Sequence, residues 1–172
     1  YSKPIFENAI KLKLKYSAPM QAIDLYNTFI ELYPTDIDCP VFVDSIISIY
    51  QKSPSRIREN KQPEEIIIQQ IERIVKDYCS DSKWYLTNQN KEISQQLKTI
   101  ENAFDFLEKK YFNNFVTLSN EENYFIYKNL VLNYFDFPHF RKNISKNLKW
   151  RTNVIDLSMN LADKFQIPSL YH

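Results

Sequence analysis

Apolar residues recur along the chain at helical spacings of three and four, and prolines mark where one run stops and the next begins. From Pro4 to about Tyr16, Phe6, Ala9 and Ile10 fall on one side of a helix whose first turn accommodates the proline. Ser17 is placed to cap a second helix, with Pro19 in its first turn and Ala22, Leu25, Tyr26, Phe29 and Tyr33 on one face. Pro34 closes it, because the residue before a proline is pushed out of helical geometry. Asp38 is the expected cap of a third helix carrying Ile46, Ile47 and Tyr50, and the polar stretch 53–62 reads as a flexible connector. Pro63-Glu64-Glu65 opens a fourth helix, with acidic charge at its positive end and a stripe of Ile67, Ile71, Ile74 and Tyr78.

Residues 80–87 link onward, with Trp84 expected to fold back onto the core. Next comes the most regular feature of the chain, Ile93, Leu97, Ile100, Phe104, Leu107 and Tyr111, a heptad seam suited to a neighbouring helix of the same chain. Ser119-Asn120-Glu121-Glu122 reads as a capping box in which Ser119 and Glu122 satisfy each other's backbone donors. It starts a sixth helix running to about Phe135. A basic helix to about Lys149, with Phe140, Ile144 and Leu148 inward, and a last helix from about Thr152 to Phe165 complete the prediction.

Composition sharpens the class. Glycine is 0 in 172 residues. That removes the glycine loops of phosphate-binding sites and the glycine elbow of hydrolases, and argues against β-rich folds with tight hairpins. An all-α chain is the consequence: about eight antiparallel helices, in a bundle or a short α-solenoid. Without a composition break, residues 1–172 read as one domain, and 44% hydrophobic with 25% charged residues suit a packed one. A formal net charge of +1 supplies no global field toward nucleic acid or anionic membrane. No run reaches the length of a membrane span. Cys39 and Cys79 fall on helical patterns and read as reduced, buried thiols. They point to an intracellular, reducing compartment (nucleus, cytoplasm or mitochondrial matrix), and a eukaryotic source is expected. Tyr1 in place of an initiator Met reads as a processed protein or an excised fragment.

One motif recurs: a large apolar residue, two adjacent apolar residues three positions on, and a tyrosine three further. Tyr26/Phe29-Ile30/Tyr33, Val43/Ile46-Ile47/Tyr50 and Tyr127/Leu130-Val131/Tyr134 all fit it, and in each case the positions share a helix face. This pattern resembles the first helix of tetratricopeptide and pentatricopeptide repeats. Ala22, Tyr26 and Pro34 also resemble the small residue, aromatic and closing proline of a tetratricopeptide second helix, with Phe29 standing where that family has a small residue. The likeness covers about a third of the chain. Its copies lie 17 and 84 residues apart, whereas those families repeat at about 34 residues. The pentatricopeptide likeness implies RNA reading by the polar residue after the first tyrosine, here Asn27 and Lys128.

For chemistry, Cys39, Cys79, His139 and His172 offer no pair at metal-ligand spacing. Glu64-Glu65 and Glu121-Glu122 sit in first turns, where helix electrostatics account for them. No catalytic, cofactor or metal site is expected, and the chain reads as a non-enzymatic protein. The best candidate surface is basic: Lys142, Lys146 and Lys149 at helical spacings, flanked by Arg141, Arg151 and Trp150, with Arg56, Arg58 and Lys61 as a second cluster. Two functions follow as expectations. One is a protein-interaction or scaffold module within a larger protein or assembly, anchored by exposed aromatics. The other is an RNA-binding helical-repeat protein of organellar gene expression, using the basic face and a stacking aromatic.

Overall fold

The structure, a computed structural model, describes residues 3–53 and 62–165. The connector expected over 53–62 lies outside the described residues except at its two ends, as do Arg56, Arg58, Lys61, Pro168 and His172. Eight α-helices and no strand are found among the described residues, so the chain is all-α. It forms two compact units, residues 1–103 and 104–172, with the boundary inside a single helix.

The first unit contains α1 (Lys3–Lys15), α2 (Pro19–Leu32), α3 (Cys39–Lys52), α4 (Pro63–Asp77), the short α5 (Lys83–Asn88) and the start of α6 (Ser94–Thr117). Each of these helices packs on its sequence neighbour, α1 on α2, α2 on α3 and α3 on α4. Phe29 is the hub, with Phe6 at 5.4 Å, Phe42 at 5.2 Å and Tyr33 at 5.0 Å between ring centroids. On α3, Val43, Ile46, Ile47 and Tyr50 are all buried, so the second copy of the recurring motif is a core stripe. On α4 the buried positions are Ile66, Ile71, Ile74 and Val75, with Ile67 only half-buried.

The connection between α2 and α3 is fixed by four side chains from three helices, α1, α5 and α6. Asp36 Oδ1 accepts from Lys3 Nζ at 2.8 Å and from the backbone N–H of Asp38 at 3.0 Å. Gln96 donates to Asp38 Oδ1 at 2.9 Å, and Lys3 also pairs with Asp38. Trp84 donates its indole N–H to the carbonyl of Asp36 at 2.8 Å, and Asn88 donates to that of Thr35 at 3.0 Å. Trp84 is buried, as its place in the sequence suggests. Asp38 occupies the cap position of α3 but makes no capping bond, because these tertiary donors claim its carboxylate.

Three further local expectations need correction. Ser17 does not cap α2; it adopts φ 57°, and the position before α2 is Ala18. The amides of Ser17 and Ala18 bond back to Leu14 O at 3.2 Å and Lys13 O at 2.9 Å. These are the paired bonds of a Schellman motif, in which a left-handed residue ends the helix and glycine usually serves. Cys79 is not helical: it follows α4 in a turn and is half-buried, whereas Cys39 is fully buried. Asn120, and not Ser119, caps the helix after α6, accepting from the amide of Asn123 at 2.8 Å. The Ser119 hydroxyl instead donates to Phe115 O.

The second unit holds the rest of α6, α7 (Glu121–Asp136), a 3-10 turn at Phe140–Lys142 and α8 (Ile144–Phe165). The two final helices expected from the sequence are one, and the turn replaces the start of the basic one. Pro138 ends regular structure after α7, and Phe137 and Phe140, three residues apart, both turn into the core. There Phe140 stacks on Tyr134 at 4.8 Å and packs on Phe137 at 4.7 Å, while Trp150 meets Tyr134 at 4.5 Å. Asn143 then accepts from the amide of Lys146 at 3.1 Å and starts α8, which contains no residue that would interrupt it.

Candidate functional site

The six residues of the basic segment do not form one surface. Lys142 is exposed in the 3-10 turn, outside the helix carrying the other two lysines. Lys146 turns inward, pairing with Asp105 at 2.7 Å and standing 5.4 Å over the Tyr134 ring and 5.6 Å over that of Trp150. Trp150 is buried, so its ring supplies core packing in place of the stacking platform expected of it. Lys149 is exposed on the same side as Lys109 and the half-buried Asp105, so a carboxylate shares this side with the lysines. Of the residues singled out for RNA reading, Asn27 accepts from Arg73 Nη1 at 2.8 Å. Lys128 stands 5.9 Å over the Tyr124 ring.

The remaining two arginines converge with Lys128 on a different feature, an open cleft of about 580 Å³ between α7 and α8. Val131, Leu132 and Phe135 from α7 and Val154 and Ile155 from α8 form its apolar floor; Lys128, Arg141, Arg151 and Asp136 form its rim. Phe135 organises the rim. Its carbonyl, in the last turn of α7, accepts from Arg141 Nε, so the arginine caps the negative end of that helix. Its ring carries the Arg151 guanidinium at 4.6 Å. None of Lys128, Arg141 and Arg151 forms an ion pair among the described residues.

Ile155 of the floor also belongs to an exposed apolar face of α8. Ile144, Leu148, Ile155 and Met159 are exposed by 78%, 67%, 55% and 44%. At 100° per residue they fall within about 60° of one another, on a single face. Ile144 and Leu148, expected inward, therefore point out. Sequence reasoning missed this face because it read the segment as a separate helix. The signal was present as apolar residues spaced by four, seven and four.

Near the cleft but separate from it, the Tyr127 hydroxyl donates to the buried Glu108 at 2.8 Å and accepts from Asn153 Nδ2 at 3.2 Å. Burial pushes the Tyr127 hydroxyl well above its ordinary pKa, and the bond to Glu108 adds to the rise. This arrangement is a satisfied core network and holds its proton in place. Among the described residues no group of His, Cys, Asp and Glu is arranged to hold a metal ion, and no helix is long and apolar enough to cross a membrane. Comparison with family models, curated proteins and solved structures gives no match to this chain.

Proposed function

We propose that the protein is a non-enzymatic helical interaction module, binding a protein partner through the α7–α8 face of its second unit. The observation that carries this is the apolar floor of the cleft together with the exposed stripe Ile144, Leu148, Ile155 and Met159. Single exposed apolar residues are ordinary, but four on one face of α8, one of which, Ile155, also lines an apolar cleft, are how interaction surfaces are built. A helical-repeat kinship belongs to the same reading. The recurring motif supplies core stripes, and α1 packs on α2, α3 on α4 and α7 on α8, as helix-pair repeats do.

The test is affinity capture with two charge insertions at comparable exposure, Ile155→Asp on the cleft and Ile5→Asp on α1. Ile155→Asp is expected to lose the partner that wild type and Ile5→Asp retain. Equal capture by all three proteins would overturn the assignment of the face. The RNA-binding alternative has fewer groups to use, since Lys146 is paired and Trp150 is buried. It requires retention on RNA that collapses with salt and with Lys142→Glu and Lys149→Glu.

A further inference from the structure

Resting on the reading of the α7–α8 face as a binding surface, we infer that its partner element is an acidic amphipathic helix, laid along α8 with its apolar residues in the cleft. Three observations give the chemistry. The first is shape. The stripe from Ile144 to Met159 extends along one helix face; at 1.5 Å per residue it is about 22 Å long, the length of a helix of about 15 residues. The cleft opens beside the middle of this stripe, with Ile155 common to both, and an apolar cleft between two helices takes a third helix, whose side-chain ridge fills it. No strand exists among the described residues to pair with an extended peptide through its backbone.

The second is charge. Lys128, Arg141 and Arg151 stand on the rim against one carboxylate, Asp136. The guanidinium groups are already oriented, Arg141 by the Phe135 carbonyl and Arg151 by the Phe135 ring. A guanidinium held in place loses less freedom when it meets a carboxylate than a mobile one. Arg141 uses its Nε in this bond, leaving its terminal nitrogens for a ligand.

The third separates a protein from RNA. The floor is aliphatic, with Leu132 and Ile155 as its most exposed members, and the aromatic beneath them, Phe135, is buried and covered by Arg151. Phosphate has nothing to gain from an aliphatic floor, and a base finds no open ring there. Leucine or isoleucine side chains from a helix fit it directly.

The test uses four fluorescent probes with the full chain: a peptide of about 16 residues with leucines on one helical face and glutamates beside them, the same peptide with lysines for glutamates, the glutamate peptide with serines for leucines, and a uridine-rich single strand of RNA. The glutamate peptide is expected to bind at least about tenfold more tightly than the lysine or serine version. Its affinity should fall at least about tenfold in Lys128→Gln/Arg151→Gln and be lost in Ile155→Asp, with circular dichroism unchanged in both proteins. Equal binding of the lysine peptide, still lost in Ile155→Asp, would overturn the acidic partner and leave the binding face standing. Failure of every peptide while Ile155→Asp still loses a captured partner would overturn the helical ligand alone. RNA binding that Lys128→Gln/Arg151→Gln removes, without peptide binding, would overturn the inference in favour of nucleic acid. If neither peptide binding nor capture responds to Ile155→Asp, both readings fall.

Discussion

Ser17 carries a side chain at φ 57°, a geometry that ordinarily falls to glycine, in a chain that has none. The β-carbon is crowded there, and the Schellman bonds to Leu14 and Lys13 hold it in place. Ser17→Gly is expected to stabilise the protein by about 0.5–1 kcal/mol despite glycine's greater freedom when unfolded. The β-branched Ser17→Val should destabilise it by more than that, and thermal melts of the two variants decide the sign. A second residue-scale consequence concerns Cys39, whose thiol is pushed by burial, with Asp36 beside it, to about 12. The native state keeps this proton after the unfolded chain has released it near pH 8.5. Cys39 therefore contributes stability that is fully present at neutral pH. Between about pH 9 and 12 that contribution falls by up to about 1.4 kcal/mol per pH unit. Burial also raises Tyr78 and Tyr127, which steepen the decline above the ordinary tyrosine range. Melting temperature measured from pH 7 upward should drop beyond about pH 9, and less steeply in Cys39→Ala. A flat profile would contradict the burial of the thiol.

Helix periodicity made most elements legible in the sequence, and the errors lie where tertiary contacts choose between local options. Ser119 and Asn120 are both competent caps, and only the geometry after α6 selects Asn120. Asn120→Ala should accordingly cost about 1 kcal/mol, and Ser119→Ala only a few tenths. The reverse order in a denaturation series would restore the capping box. Lys146 looked like part of a solvated basic face because its partner, Asp105, is 41 residues away on α6. A boundary was expected between Lys149 and Thr152, but no proline or glycine interrupts the helix there. Burial of Trp150 against Tyr134 runs α8 straight through it. The aromatic cluster that redirects this segment should be the costliest region of the second unit to disturb. Phe104→Ala, at the centre of contacts with Tyr134, Phe137 and Phe140, is expected to lose about 3–5 kcal/mol.

At the scale of the molecule, the fold class followed from glycine and periodicity, whereas the cleft followed from neither. Its cations come from α7, the 3-10 turn and α8, and its floor from two helices that the sequence does not mark as neighbours. Lys128, Arg141 and Arg151 had each been legible as candidates for a binding surface; what was not legible was that Phe135 would gather the two arginines. The chain's two tryptophans carry a practical consequence of this packing. Trp84 is buried in the first unit, and Trp150 in the second, on α8, one of the two helices that form the cleft. Each unit therefore has a single optical reporter of its own. In Trp84→Phe the remaining emission comes from Trp150 alone, so quenching, spectral shift and loss of structure can be followed beside the cleft without a label. Trp150→Phe gives the same address to the first unit, and a pair of melting curves would show whether the two halves of this protein lose their structure together or in turn.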